Sequence, residues 1–202
     1  MTTTIQEDAF DSPIGTIRWA RRDGALLALD FDCRWMASLE RLCRRFGSAA
    51  VVARPDKGDV AERMKRYFSG DASAFDGIEI DAGGTDFQKT VWSALRKIPF
   101  GATVSYRDLA ESIGKPTGAR AVASANARNP ISIVVPCHRV IHAGGTISGY
   151  AGGVEKKAWL LAHESKFAAA IEMGESTKSA ASRLAGRGSV QLGFGLERTI
   201  GC

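Results

Sequence analysis

An alternation of apolar and polar residues near the N-terminus predicts a β-hairpin. The stretch "SPIGTIRWARRDGALLALDFD" alternates on both sides of Asp23 and Gly24, and Asp-Gly is a preferred pair at the centre of two-residue hairpin turns. We therefore expect two antiparallel strands, near residues 13–21 and 25–32. The short run "AAVVA" further along the chain predicts another strand.

Apolar residues at helical spacing predict two helices in the same part of the chain. The first, "WMASLERLCRRFG", ends at a glycine, and the second is "DVAERMKRYFSG". Residues 1–80 thus predict a small N-terminal α/β domain in which helices accompany an antiparallel sheet. We find no catalytic constellation in it and expect its large apolar side chains to form a core: Trp19, Trp35, Met36 and Phe46.

Residues 81–166 predict a second, mainly helical domain. Three helical stretches, "FQKTVWSALRKI", "SYRDLAESIG" and "TGARAVASANARN", are separated by proline and glycine turns. The last two are short and closely joined, which is the outline of a helix-turn-helix. A strand ending in "VVPC", a glycine-rich loop "HAGGTISGYAGG" and a final helix "VEKKAWLLAHE" follow. The elements of the two domains together predict an α+β fold. We expect residues 167–202 to form a flexible or poorly packed tail that ends at an exposed Cys202.

Composition and cysteine spacing exclude several classes of protein. No apolar run approaches the roughly 20 residues that a membrane-spanning helix needs, and "MTTTIQEDAF" lacks the basic and apolar segments of a secretory signal. We therefore expect a cytoplasmic protein without membrane contact. The four cysteines form no CxxC pair, so we predict reduced thiols, with neither a disulfide framework nor a zinc site.

The net charge of +5 is concentrated in one part of the chain. Residues 81–166 contain 11 Lys and Arg against 6 Asp and Glu, which equals the whole excess. A local positive field of this kind attracts polyanions such as nucleic acid. A solvated lysine-rich face is an equally good explanation of the charge alone.

The third helix of this domain has almost no long side chains. Between Gly118 and Ala127, Arg120 is the only long one. A helix that reads bases in the major groove normally carries several residues that reach base edges. Small residues instead favour close approach to a sugar-phosphate surface or a narrow groove, with one arginine free to insert and little sequence preference. Tight packing against another helix would favour the same composition.

The apolar run "ISIVVPCHRVI" raises the question of whether Cys137 is an inert core thiol or a nucleophile. A thiol with an ordinary pKa near 8.5 is mostly protonated at neutral pH, so a nucleophile needs a neighbouring base or positive field. His138 is adjacent in sequence, yet neighbours on an extended strand point to opposite faces. Pro136 favours a strand end or bend at this point. Composition and spacing leave both interpretations open.

Three stretches together resemble a known family. They are "TDFQKTVWSALRKIPFGATVSYRDLAESIG", "ARAVASANARNPISIVVPCHRVI" and "GYAGGVEKKAWLLAHE", and they resemble the O6-alkylguanine-DNA alkyltransferases, also called methylated-DNA–protein-cysteine methyltransferases, over about residues 84–165. Residues 12–80 resemble the family's variable N-terminal domain more weakly. The resemblance implies a ribonuclease H-like N-terminal domain and a winged-helix-like C-terminal domain.

The resemblance also implies a single-turnover DNA repair reaction. Cys137 would accept a methyl or other alkyl group from O6 of guanine, and from O4 of thymine, irreversibly. Glu164 would orient His138, which deprotonates the thiol through a water, and Tyr106 would give a proton or hydrogen bond to the leaving base. Asn129 would link the DNA-binding helix to the cysteine strand. No cofactor is implied, and the expected partner of the monomer is double-stranded DNA that carries O6-alkylguanine.

The family pattern further implies how the base would be reached. Arg120 would take the place of a nucleotide that is flipped out of the stack, because O6 is otherwise beyond the thiol's reach. Residues near the cysteine and in the glycine loop would form the base pocket: Val140, Tyr150, Ala151 and Gly152. The DNA would lie against the small residues of the third helix and its ends: Ala119, Ala121, Ser124 and Arg128.

Two departures from the family pattern limit the resemblance. Ala151 stands where some members have a serine, which leaves only the backbone N–H to contact the base at this position. No Cys and His set matches the zinc site of some members. The competing hypotheses are a DNA-binding regulator or alkylation-damage sensor without chemistry, against which Cys137 argues, and a cysteine hydrolase, for which we find no oxyanion-hole arrangement.

Overall fold

The N-terminal part of the chain is built on a four-stranded sheet. A computed structural model describes residues 4–47, 50–53, 58–147 and 149–185. The sheet has the order β3-β2-β1-β4. Strands β1 and β2 are antiparallel, as are β2 and β3, whereas β4 lies parallel to β1. The strands span Thr4–Ser12 (β1), Gly15–Arg22 (β2), Ala25–Phe31 (β3) and Ala50–Ala53 (β4).

The predicted hairpin is confirmed as β2 and β3. The chain turns at Asp23 and Gly24, whose φ values are 51° and 87°, and Trp19 pairs with Leu29 across the two strands. Strand β1 was not predicted, because only Ile5 of its nine residues is fully buried and the rest form no regular apolar alternation. Burial of one face is what makes a strand recognisable in sequence.

Two helices accompany this sheet, as the apolar spacing predicts. Helix α1 spans Trp35–Phe46 and contacts β3, and helix α2 spans Val60–Phe68 and contacts β1. In α1 the buried residues are Trp35, Ser38 and Leu42. The prediction that Met36 belongs to the core is wrong, because it is 70% exposed. One residue corresponds to about 100° of rotation around a helix, so a small error in the predicted face exposes a side chain.

Three short helices and a two-stranded sheet form the following part of the chain. Thr85 and Ser105 cap two of these helices with capping boxes. The Trp92 indole donates to the Ala125 carbonyl at 3.0 Å and ties the first of the three helices to the third. The elements span Asp86–Leu95 (α3), Val104–Ser105 (β5), Tyr106–Ser112 (α4), Ala119–Ala127 (α5) and Val140–Ile141 (β6), with β5 parallel to β6.

The prediction of a strand that ends in "VVPC" is wrong. Residues 132–134 form turns, with Ile133 at a φ of 70°, and a 3-10 helix spans Cys137–Arg139. The apolar side chains are buried as expected, but a short apolar run does not distinguish a buried strand from another buried segment. Ile131 alone forms a parallel bridge, with Leu29 of β3.

The last helix is longer than predicted. Helix α6 spans Val154–Ala185, so the first part of the predicted tail, from residue 167, continues this helix. Residues 186–202, including Cys202, lie outside the described residues. Contacts group the described residues up to Ala168 into one compact unit and those from Ala169 onward into a second.

The predicted α+β class is confirmed by these elements and their order. The domain boundary near residue 80 stays a prediction, as do the finer ribonuclease H-like and winged-helix-like descriptions. Within the described ranges, no helix combines the length and the apolar composition required to cross a membrane.

Candidate active site

Cys137 opens the 3-10 helix and is 4% exposed. Its backbone is held on both sides, because its N–H donates to the Val135 carbonyl at 2.8 Å and its carbonyl accepts the Asn126 side-chain amide at 3.3 Å. Burial raises the pKa of the Cys137 thiol to about 11, because a buried thiolate loses its hydration. The thiol is therefore protonated at neutral pH and needs a proton acceptor before it can act as a nucleophile.

His138 provides a buried proton acceptor beside this thiol in the chain. Burial lowers the pKa of His138, against the opposing effect of Glu164, which keeps the ring neutral. Nε2 lies 2.9 Å from a Glu164 oxygen, and because a carboxylate only accepts, Nε2 carries the ring hydrogen. Among the described residues, the buried Nδ1 has no hydrogen-bond partner. Nδ1 is thus the atom left to take a proton.

Glu164 is fully buried and is the centre of the hydrogen bonds around His138. It accepts from the Tyr67 hydroxyl at 2.8 Å, from Arg139 at 2.8 and 2.9 Å, and from the Gly101 backbone N–H at 3.2 Å. Burial alone would raise the pKa of Glu164, but the hydrogen bond from His138 and the hydrogen bonds and charge of Arg139 lower it well below its ordinary value. A fixed negative charge therefore faces the imidazole.

Asn129 organises the turn that precedes the cysteine. Its amide nitrogen donates to the carbonyls of Val135 at 2.8 Å and Ile131 at 3.3 Å, and its oxygen accepts from the Ile131 N–H at 3.0 Å. These three bonds satisfy backbone groups that a neighbouring strand would satisfy in a sheet. One buried side chain thus connects the end of α5 to the segment that leads into Cys137.

A half-buried tyrosine and a buried lysine interact electrostatically with Cys137. Burial raises the pKa of Tyr106, and the charge of a Cys137 thiolate raises it further, so its hydroxyl keeps the proton that it can donate. The Lys157 ammonium donates to the Val140 carbonyl at 2.6 Å. Burial lowers the pKa of Lys157, whereas the Cys137 charge raises it. Lys157 was not predicted, because a lysine in an amphipathic helix is normally solvated.

The glycine loop packs directly against β3. The Tyr150 ring lies edge-on to Phe31, with 6.2 Å between ring centroids, and edge-on to His138 at 6.5 Å. A Cβ added to Gly152 would lie 2.5 Å from the Phe31 ring. Only glycine therefore fits at this position without a shift of the loop.

Two residues of the N-terminal part connect to the same site. The buried Asp30 carboxylate accepts from Arg34 at 3.0 Å and from the Ser132 hydroxyl at 3.2 Å. Arg34 also donates to the Ala151 carbonyl at 3.0 Å. The end of β3 is thereby bonded both to the turn before Cys137 and to the glycine loop. Neither Asp30 nor Arg34 was singled out from the sequence.

Helix α5 has one buried and one exposed face. Val122, Ala125 and Asn126 are buried, which accounts for part of its small-residue composition by packing. The other face is open to solvent along the length of the helix, and Ala119 is half-buried at its start: the exposed residues are Arg120, Ala121, Ser124, Ala127 and Arg128. Packing therefore explains the small residues of the buried face, whereas close approach to a sugar-phosphate surface stays a prediction for the exposed face.

The structure brings the sequence-predicted residues into two neighbouring groups. His138 is hydrogen-bonded to Glu164, the buried Cys137 precedes His138 in the same 3-10 helix, and Asn129 supports the segment before them through its backbone. Arg120 and the exposed small residues lie on α5. In the described part of the chain, no group of three or more His, Cys, Asp and Glu side chains could hold a metal ion.

Known sequences that are similar to this chain belong to the family that the sequence motifs resemble. Residues 86–166 match the family model described as the DNA-binding domain of 6-O-methylguanine DNA methyltransferase. The chain is 50% identical over 135 residues to a methylated-DNA–protein-cysteine methyltransferase of Shigella flexneri, which covers 67% of this chain and 78% of the relative. It is 44% identical to the protein of the same name from Mycolicibacterium paratuberculosis, with 79% and 92% covered.

Solved structures show the same similarity. The crystal structure of Mycobacterium tuberculosis O6-methylguanine methyltransferase is 39% identical, with a TM-score of 0.69, and the match covers 80% of this chain and 93% of that one. A structure of the Mycobacterium tuberculosis protein in complex with DNA is 40% identical, with a TM-score of 0.67 and coverages of 81% and 94%.

Proposed function

The chain belongs to the family of methylated-DNA–protein-cysteine methyltransferases, and on this premise we propose that Cys137 removes alkyl groups from O6 of guanine in DNA. The observation that carries this proposal is the buried Cys137 thiol followed by a neutral His138. Its Nε2 is hydrogen-bonded to Glu164, and its Nδ1 has no hydrogen-bond partner in the described part of the chain. The transfer is irreversible, so each molecule repairs one base.

The reaction is a displacement at the alkyl carbon. The thiol proton passes through a water to His138 Nδ1, and the Glu164 carboxylate stabilises the imidazolium that forms. The thiolate sulfur then forms a bond to carbon as the carbon–O6 bond breaks, and the bonding electrons leave with the base. Tyr106 donates a proton or hydrogen bond to the ring as the charge develops. In the net reaction the thiol proton ends on the restored guanine and Cys137 becomes a thioether.

The base reaches the thiol by leaving the helical stack. Tyr150 and Gly152 form one wall of the pocket, and the backbone groups of Val140 and Ala151 contact the base edge. Arg120 fills the gap in the duplex, while the small exposed residues of α5 allow the backbone to approach closely. The substrate is double-stranded DNA that carries O6-alkylguanine. The monomeric state, the cytoplasmic location and the activity on O4-alkylthymine stay predictions.

Intact-protein mass spectrometry tests the reaction. After incubation with duplex DNA that contains O6-methylguanine, we expect one added methyl group on the wild-type protein and none on Cys137→Ala. Cys43→Ala, which removes an exposed thiol, is the matched control and should be methylated like the wild type. An unmodified wild-type protein that still binds this DNA would contradict the repair reaction and support a damage sensor.

Arg120 should matter for damaged duplexes and not for the free base. Arg120→Ala should slow methyl transfer from duplex DNA by roughly tenfold or more, because unstacking costs a few kcal/mol that the inserted side chain helps to offset. Single-turnover transfer from free O6-methylguanine should keep its wild-type rate. Equal losses on both substrates would be inconsistent with insertion into the duplex.

A further inference from the structure

A cleft lined by arginines lies beside the proposed DNA-binding helix. It has a volume of about 560 Å³ and is bordered by α1 and β3 on one side and by α3 and the end of α5 on the other. None of the described residues that line it is acidic, and five are arginines: Arg34, Arg41, Arg44, Arg45 and Arg128. The lining between them is partly apolar and includes Leu27, Leu42 and Trp92.

Two of the five guanidinium groups are neutralised by close carboxylates. Arg34 bonds to Asp30 at 3.0 Å, and Nη2 of Arg45 lies 2.6 and 2.7 Å from the two carboxylate oxygens of Asp81. These pairs contribute to the structure of the free protein and leave little charge for a ligand. The charge available in the cleft therefore comes from the other three arginines.

Of the remaining three arginines, Arg41 and Arg44 have weaker counter-charges, and Arg128 bonds to Ser124 and to no carboxylate among the described residues. Arg41 lies 4.0 Å from the Asp30 carboxylate that Arg34 already holds, and the carboxylate nearest to Arg44 is that of the exposed Glu40 at 3.6 Å. Burial lowers the pKa of Arg41, and the positive charges of Arg34 and Arg44 lower it further. Like charges held close together repel each other in the free protein, and a bound anion relieves this repulsion.

The cleft is continuous with the exposed face of α5. Ala127, Arg128 and Pro130 belong to its lining. Arg120 is the second residue of α5, and Arg128 directly follows its last residue, eight positions later, which corresponds to a rise of roughly 12 Å along the helix axis. One strand of B-DNA carries a charge about every 3.4 Å along the helix axis. A duplex that follows α5 would thus bring phosphates three to four base pairs from the lesion to the mouth of the cleft.

We propose that this cleft holds the sugar-phosphate backbone on one side of the damaged base, so that the N-terminal part of the chain also binds DNA. The proposal rests on the proposed function, in which Arg120 marks the flipped base. Guanidinium groups match phosphate oxygens in geometry and charge. Contacts to phosphates position a protein on the duplex and carry no sequence information, which agrees with repair at any sequence.

The test compares two double variants of the full chain. Arg41→Gln with Arg44→Gln removes two cleft charges, and Lys65→Gln with Lys166→Gln removes two exposed charges that do not line the cleft. The logarithm of the binding constant for lesion-containing duplex falls linearly with the logarithm of the salt concentration. The magnitude of this slope should be smaller by about 2 for the cleft variant, because each phosphate contact contributes about 1 to it. Its affinity at physiological salt should fall roughly tenfold. The control variant should stay close to the wild type.

Trimmed duplexes test the one-sidedness of the contact. Base pairs beyond about the third from the lesion are removed on one side of the lesion or on the other. For the wild type, removal on one of the two sides should weaken binding and removal on the other should not. The cleft variant should lose this asymmetry. A wild-type salt slope in the cleft variant, or equal losses in both double variants, would overturn the proposal. Methyl transfer from free O6-methylguanine should remain at the wild-type rate in both variants. An error in the proposed DNA contact can therefore be distinguished from an error in the proposed reaction, because only the second would abolish this transfer in the wild type.

Discussion

Replacing Glu164 with glutamine should slow the alkylation of Cys137 by at least about 100-fold, the contribution expected of general acid–base catalysis. Glutamine has almost the same shape but no charge, so it cannot stabilise a protonated His138. The rate to measure is single-turnover methyl transfer from free O6-methylguanine, which does not depend on DNA binding. Glu155→Gln, an exposed glutamate on the same helix, is the matched control and should react at the wild-type rate.

The same substitution should lower the free energy of unfolding by about 3–5 kcal/mol, the usual cost of removing one partner of a buried ion pair. Arg139 would then lie largely buried opposite a neutral amide, with both of its bonds to Glu164 weakened. Urea unfolding at neutral pH measures this loss. A stable variant with normal methyl transfer would show that His138 does not depend on the Glu164 charge.

The stability that Glu164 contributes should also depend on pH in a defined direction. Its folded pKa lies well below the ordinary 4.5, so the unfolded chain binds the proton more readily. The stabilisation is fully present above 4.5 and is lost as the pH falls from 4.5 toward the folded pKa. The difference in unfolding free energy between wild type and Glu164→Gln should therefore be constant near neutral pH and shrink below pH 4.5.

The sequence predicted the residues of the site that lie close together in the chain or in a family motif. Cys137, His138 and Glu164 fall within the matched stretches, and the structure joins them. The partners from the N-terminal part were missed. Tyr67 bonds to Glu164 across 97 residues and Arg34 to Ala151 across 117. Periodicity carries no information about such pairs, because it reports only which side chains of one element share a face.

The wrong strand before Cys137 has a related cause. Residues 131–135 are apolar enough for a buried strand, but their backbone hydrogen bonds are divided among the Asn129 side chain, local turns and Leu29 of β3. Because side-chain and turn bonds satisfy much of its backbone, this buried segment does not need to form a regular strand. The wrong strand also led to a wrong expectation about the orientation of Cys137 and His138, because both residues lie in a 3-10 helix. The opposite-face argument for an extended strand therefore does not apply to them.

Arg34→Ala should have the second largest effect, although Arg34 lies more than 100 residues from the cysteine in the chain. Arg34 holds the Asp30 carboxylate and the Ala151 carbonyl together. Its removal leaves a buried Asp30 without its closest charge partner, which should lower the free energy of unfolding by about 3 kcal/mol. It also releases the Ala151 carbonyl and so loosens the backbone of Ala151, whose N–H is the proposed contact to the base in the absence of a serine hydroxyl.

Methyl transfer from the free base distinguishes this positioning effect from a loss of stability alone. At temperatures well below the thermal unfolding midpoint of the variant, Arg34→Ala should react roughly fivefold more slowly, since a displaced pocket wall loses a hydrogen bond to the base worth on the order of 1 kcal/mol. Arg41→Ala removes an arginine near the same Asp30 carboxylate, at 4.0 Å, and should keep the wild-type rate. Arg34→Lys should be intermediate, because one ammonium replaces the charge but does not span both acceptors in the fixed geometry of a guanidinium. A folded Arg34→Ala protein that reacts like the wild type would limit Arg34 to a structural role.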